Sequence, residues 1–164
     1  MCYLIEYREA IRRGEIRAGQ ELITELDNLI HDMNDSRYIY DTADAYMQID
    51  FMENCIRLTK SPFYGKPMKL MLWQKAFIEV VYSFKMADKT YTDSSGNVKH
   101  VDRFQKVVLL IARKNTKSET CSALMLTESI IGNAGADLVC SSNDDIQASI
   151  LYDAIDTMRL MIDP

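Results

Sequence analysis

One stretch constrains this chain more than any other. Val107-Val-Leu-Leu-Ile-Ala112 is a continuous apolar run, followed at once by the polar loop Arg113-Lys-Asn-Thr-Lys117 and then by a helical pattern from Ser118 to Ile131. A short apolar run rich in β-branched residues and lacking alternation suits a strand buried on both faces of a parallel sheet. Ala123, Leu126 and Ile130 then recur at helical spacing, and Gly132-Asn133 closes that helix. Ala136–Ser141 is a second apolar strand candidate. Ser142 or Asn143 caps a final helix carrying Ile146, Ile150, Ala154, Met158 and Ile162. Strand, loop, helix, strand, helix in that order predicts an α/β fold with a parallel βαβ unit.

The chain before this stretch reads mostly as helix. Leu4, Tyr7 and Ile11 recur at helical spacing from Tyr3 to Arg13, and Gly14 ends that segment. From Gln20, Leu22, Leu26, Leu29 and Met33 form a stripe that Asn34-Asp35-Ser36 breaks. A third helix over Thr42–Leu58 puts Ala45, Ile49, Met52 and Ile56 on one face. Ser61-Pro-Phe-Tyr-Gly-Lys-Pro67 disfavours helix and central strand, so the expectation is an extended run over the surface. Leu70–Met86 is strongly apolar and aromatic and is expected as a half-buried helix. The run Thr90–His100 reads as a β-hairpin turning at Ser95-Gly96-Asn97, residues that tolerate left-handed geometry. The expected organisation is a helical N-terminal region over residues 1–60 and an α/β region over residues 61–164.

Composition narrows the classes. The 164 residues suffice for one well-buried domain, or one domain with a helical appendage. Lys and Arg number 19 against 24 Asp and Glu, a net charge of −5, which argues against a nucleic-acid coat with a dense cationic surface. Cys2, Cys55, Cys121 and Cys140 are scattered, without zinc spacing or a disulfide framework. No apolar run approaches the roughly 18 residues of a membrane span, and Met1–Ala10 has no signal-peptide core. The chain reads as soluble and cytoplasmic, with no membrane partner.

Lys117-Ser118 carries the chemistry. A lysine and a hydroxyl residue at a helix start, just after a buried strand, are placed as in a phosphate-binding loop. The N–H groups of the helix end point at the anion, the dipole favours negative charge, and the lysine reaches the outer phosphates. The full pattern G-x-x-x-x-G-K-[ST] is not met, because Ile111 and Thr116 stand at its glycine positions. Asp41 and Asp44, like Asp144 and Asp145, sit at helix starts, where capping accounts for them. His31 and His100 lack partners at ligand spacing.

Three separated segments resemble the large terminase subunits of tailed phages. Val107–Ser118 resembles their ATPase loop, in which Ala-Arg-Lys-Asn-Gly-Lys-Ser replaces the glycine-rich form. Pro62-Phe-Tyr-Gly-Lys-Pro67 with Leu72-Trp-Gln-Lys-Ala-Phe77 resembles the element leading into the family's adenine-recognising glutamine. Cys140–Ala148 resembles the segment after the second strand. The likeness covers nearly the whole chain.

The resemblance implies a helical lead-in followed by the first half of a P-loop NTPase fold, with ATP and Mg²⁺ as cofactors. It implies that Lys117 binds the β- and γ-phosphates and that Ser118 ligates Mg²⁺. Asn115 and Thr116 would contribute to the phosphate loop, and Arg113 and Lys114 would form the basic pair that stabilises phosphoryl charge. Gln74 would read the adenine edge, while core packing accounts for Trp73 and Phe77. In the family, the whole protein is an ATP-driven motor that packages double-stranded DNA into the capsid of a phage in its bacterial host. Its partners there are the small terminase subunit, the portal and further copies of itself. Thr116 stands where the family has glycine, and a β-branched residue resists the angles such a loop needs. The acidic strand end that positions Mg²⁺ and the nuclease part are expected to be missing from this chain. The alternatives are a non-catalytic interaction module left by a prophage, and another kind of P-loop enzyme.

Overall fold

The computed structural model describes residues 2–93, 95–112, 114–132, 137–142 and 145–162, without the side chains of Asp145 and Gln147. Among the described residues are six helices and one three-stranded antiparallel sheet. The chain divides into two compact units, residues 1–49 with 70–107 and residues 50–69 with 108–164.

The first unit holds α1 (Tyr3–Arg12), α2 (Gln20–Asp32), β1 (Tyr38–Tyr40) and the start of α3 (Ala43–Cys55). It continues with α4 (Leu72–Ser83), β2 (Phe84–Thr92) and β3 (Val98–Asp102). Its core gathers Leu4, Leu26, Leu29 and Phe84, with Tyr7, Ile11 and Met33 packed against them. Apart from Phe84, these are members of the stripes predicted for α1 and α2; of those stripes Leu22 stays 41% exposed. Gly14 takes a φ of +77° just beyond α1 and donates its N–H to Ile11 O at 3.0 Å, the helix stop expected of it. At the start of α3, Asp41 Oδ1 accepts the Ala43 N–H at 3.0 Å, which bears out capping there.

The helix expected over Leu70–Met86 ends early. α4 stops at Ser83 and the chain turns extended at Phe84, which pairs with Tyr40 in an antiparallel ladder. Sheet pairing and aromatic packing override the helical pattern here. Phe84 is fully buried, edge-on to Tyr40 at 4.8 Å and to Phe104 at 6.1 Å. The Arg103 guanidinium lies 4.0 Å over the Tyr38 ring and pairs with Asp32 at 2.8 Å. The predicted hairpin is present as β2 and β3. Its turn rests on Gly96 at φ +84° and on Asp93, whose Oδ1 accepts the N–H groups of Ser95 and Asn97.

A buried carboxylate closes this unit. Glu79 on α4 is fully buried and accepts the N–H groups of Tyr3 at 2.9 Å and Leu4 at 3.0 Å, at the N-terminus of α1. Its Oε1 also accepts the Tyr40 hydroxyl at 2.7 Å and the Cys2 thiol at 3.0 Å. Burial pushes both the Cys2 thiol and the Tyr40 phenol up in pKa, and their bonds to Glu79 act in the same direction.

The second unit holds the end of α3, the loop after it, α5 (Lys117–Ile131) and α6 (Asp145–Ile162). Met52, Ile56, Ala123 and Met158 are fully buried in it, and Leu126 and Ala154 nearly so. The predicted stripe of α6 is therefore covered from Ala154 onward, while Ile146 and Ile150 stay 70% and 45% exposed.

Two expectations are corrected in this unit. The stretch Ser61–Pro67 does not run extended. Leu58 donates its N–H to Lys66 O at 2.9 Å, and Gly65, at φ +76°, donates to Leu58 O at 2.8 Å, so the chain folds back into a closed loop. Only a turn residue free to take a positive φ permits that reversal.

The expected parallel sheet is not seen among the described residues. Residues 107–112 and 137–141 carry no strand ladder, and Val108 and Leu110 are 92% and 94% exposed. Leu109 and Ile111, which alternate with them, are half-buried, and among the described residues no strand pairs with the run. Ala136, the first residue of the second strand candidate, lies outside the described residues.

Candidate functional site

The loop before α5 is built around two residues in left-handed backbone. Lys114 has φ +70° and Thr116 has φ +54° with ψ +21°, and neither is glycine. Threonine there is unusual, because its β-branch crowds the backbone. Thr116 thus occupies the conformation that glycine would adopt freely, and it does so as the residue preceding α5. Its carbonyl accepts the Thr120 N–H at 2.9 Å, the first bond of the helix, and the Thr120 hydroxyl at 2.9 Å.

That bond leaves the N–H groups of Lys117, Ser118 and Glu119 without intrahelical acceptors, as at any helix start. Lys114 and Lys117 are exposed, and among the described residues neither forms an ion pair. Ser118 is half-buried. Asn115 turns away from this end, its Nδ2 donating to Ala112 O at 3.3 Å.

A cavity of about 570 Å³ joins this loop to the closed loop after α3. Lys114, Thr116, Lys117 and Ser118 line one side; Lys60, Ser61, Pro62 and Phe63 line the other. The two sides are tied together by Glu119, 7% exposed, which accepts the Thr59 hydroxyl at 2.6 Å and the Thr59 N–H at 3.2 Å. Sequence reasoning missed Glu119 and Thr59. A glutamate in the first turn of a helix reads as a dipole partner, and nothing local marks its bond to a residue 60 positions away.

The structure thus brings Lys114, Thr116, Lys117 and Ser118 together around one cavity. Arg113 lies outside the described residues, as does Asp144. Gln74 belongs to the first unit, where it is 2% exposed and its Oε1 accepts the Met71 N–H at 2.7 Å across the first turn of α4. Trp73 and Phe77 are half-buried on the same helix. His31 lies beside Asp32 at 3.7 Å, and His100 Nδ1 lies 3.0 Å from Met86 O in the hairpin.

A second cavity of about 540 Å³ is apolar, with Met125, Leu138, Val139, Tyr152 and Ile155 in its wall. Cys140 lies there too, its thiol 3.5 Å from Met125 Sδ, packing as a small apolar side chain. Among the described residues no cluster of three or more His, Cys, Asp or Glu side chains could hold a metal ion. Nor is any described helix long and apolar enough to cross a membrane. At the first cavity the groups on hand are ammoniums, helix N–H groups and hydroxyls, with the one lining carboxylate, Glu119, bonded to Thr59; the donors fit phosphate oxygens. Comparison of the chain with protein-family models, with curated proteins and with solved structures finds no match.

Proposed function

We propose that the second unit binds the phosphates of a nucleoside triphosphate at Lys114–Ser118, as the ATPase part of a phage terminase large subunit does. One observation carries this reading: Lys114 and Thr116 both take left-handed backbone immediately before Lys117-Ser118 at the start of a 15-residue helix. A loop that holds a non-glycine residue in that conformation twice spends roughly 1–3 kcal/mol at each. A phosphate site is a reason to keep such a loop.

In this reading Lys117 contacts the outer phosphates and Lys114 adds a second cation beside them. The N–H groups of residues 117–119 supply the helix-end donors. The Ser118 hydroxyl is the side chain available to a phosphate-bound Mg²⁺, which when present draws electron density from the phosphate oxygens. Arg113, as part of the same basic pair, rests on the resemblance alone, and so does Gln74 as adenine reader, a role that this reading of the second unit does not use. So do the partners of a packaging motor, namely double-stranded DNA, the small subunit, the portal and further copies of the large subunit.

Titration calorimetry with ATP and with inorganic tripolyphosphate, in the presence of Mg²⁺, tests the reading. Binding of both ligands, lost on Lys117→Ala while the variant keeps its circular dichroism, is the expected result. Absence of heat with either ligand at millimolar concentration overturns it.

A second reading, a non-catalytic interaction module, is favoured by a different observation. Val108, Leu110 and Val139 are 92%, 94% and 80% exposed, a large apolar display for one unit. The same titration separates the two, because such a module binds neither ligand.

A further inference from the structure

The cavity has a side that phosphate binding leaves unexplained. Opposite Lys114–Ser118 stands Phe63, a large aromatic side chain left 54% exposed on a loop that is otherwise tightly held. Phe63 donates its N–H to Lys60 O and accepts the Lys66 N–H on its own carbonyl, both at 3.0 Å. The Leu58–Lys66 and Gly65–Leu58 bonds close the loop beneath it, and the Glu119–Thr59 bonds fasten that loop to the first turn of α5. The ring is therefore presented from the same scaffold that presents Lys117 and Ser118. Such fixation lowers the ordering cost of a ligand that touches both sides.

The charge around the cavity selects the ligand. Lys60, Lys114 and Lys117 line it against one carboxylate, Glu119, whose two oxygens are both engaged by Thr59. A chain of net charge −5 thus concentrates ammonium groups at one place, next to an open aromatic ring. Polyanion at one end and flat π-system at the other is the chemistry of a nucleotide. On this loop the polar side chains that line the cavity with Phe63 are the Ser61 hydroxyl and the Lys60 ammonium. A hydroxyl both donates and accepts, so it meets an amino or a keto edge equally well.

We infer that Phe63 is the base platform of this site, stacking purines in preference to pyrimidines and separating adenine from guanine poorly. The inference rests on the phosphate-loop reading above and adds the part that touches the base. Lys66, whose ammonium lies 5.4 Å from the Phe63 ring centroid, steadies the ring from within its own loop.

Calorimetry on the 164-residue chain, with Phe63→Ala and Phe63→Trp, decides the matter using ATP, GTP, UTP and inorganic tripolyphosphate. ATP and GTP should bind within about threefold of each other and on the order of tenfold more tightly than tripolyphosphate, with UTP between. Phe63→Ala should bring ATP down to the tripolyphosphate level and leave tripolyphosphate unchanged, while Phe63→Trp restores ATP. Because Phe63 is exposed, neither variant should disturb folding, which a thermal melt checks. Should tripolyphosphate and ATP both bind and Phe63→Ala leave ATP untouched, the platform is refuted and the phosphate loop stands. Strong preference for ATP over GTP also refutes it. Binding of neither ligand removes the phosphate loop and the platform together.

Discussion

Glu119 accepts from both hydrogen-bond donors of Thr59, the hydroxyl at 2.6 Å and the backbone N–H at 3.2 Å, so the first turn of α5 holds the loop that follows α3. The contact is half-buried and lies next to Ser118, and it decides where Lys60–Phe63 sits relative to Lys114–Ser118. Removing the carboxylate in Glu119→Ala should lower stability by about 1–3 kcal/mol, since two donors lose a charged acceptor. Hydrogen exchange at the Thr59 amide should quicken in parallel. Unchanged exchange at Thr59 with a normal denaturation midpoint would show that the loop is held by other means.

Thr116 makes the opposite kind of prediction. At φ +54° its side chain strains the backbone, so Thr116→Gly should not lower the melting temperature, and by removing a Cβ where phosphate approaches the backbone it should tighten tripolyphosphate binding by roughly 1 kcal/mol. Glycine also loosens the unfolded chain, which offsets part of the relief. Thr116→Val keeps the branch and should bind no better than the parent. Equal affinity in all three would show that the loop does not use this geometry to meet its ligand.

Glu79 should be the most sensitive polar position of the first unit. Glu79→Ala leaves the Tyr3 and Leu4 N–H groups and the Tyr40 hydroxyl without their buried acceptor, a loss of about 2–4 kcal/mol. Glu79→Gln keeps one acceptor but turns an amide N–H₂ toward donors, and should lose nearly as much. Urea denaturation reads both variants. A loss under about 0.5 kcal/mol, the range of ordinary surface changes, would contradict the role assigned to Glu79.

Asp35 sets a pH dependence. Its side chain takes the Arg37 guanidinium at 2.7 Å and the Arg37 N–H at 2.9 Å, and the guanidinium above all holds its pKa down at about 2. With the folded value below the ordinary 3.8, its contribution to stability is complete above pH 3.8 and fades as the pH falls toward 2. A carboxyl NMR titration should place the midpoint near 2, and Arg37→Gln should return it toward 3.8. An ordinary midpoint in the parent chain would refute the pairing in solution.

Periodicity alone located the helices α1, α2, α3, α5 and α6, because an amphipathic stripe is a local property of the chain. The β2–β3 hairpin was equally legible, since Gly96 and Asp93 encode their turn within five residues. Lys117-Ser118 could be placed at a helix start for the same reason. The rest depended on residues far apart in sequence. β1 has three residues, too few to show a period, and exists because Phe84 and Met86 pair with it. That pairing ends α4 at Ser83, against a helical pattern continuing to Met86. The closed fold of Leu58–Lys66 arises from backbone bonds across a proline- and glycine-rich stretch that carries no periodicity. Burial gave Glu79 and Glu119 their tasks, and the residues they serve lie 75 and 60 positions away. Composition and spacing report local preference, whereas a buried acceptor is defined by which distant donors the packed chain brings to it.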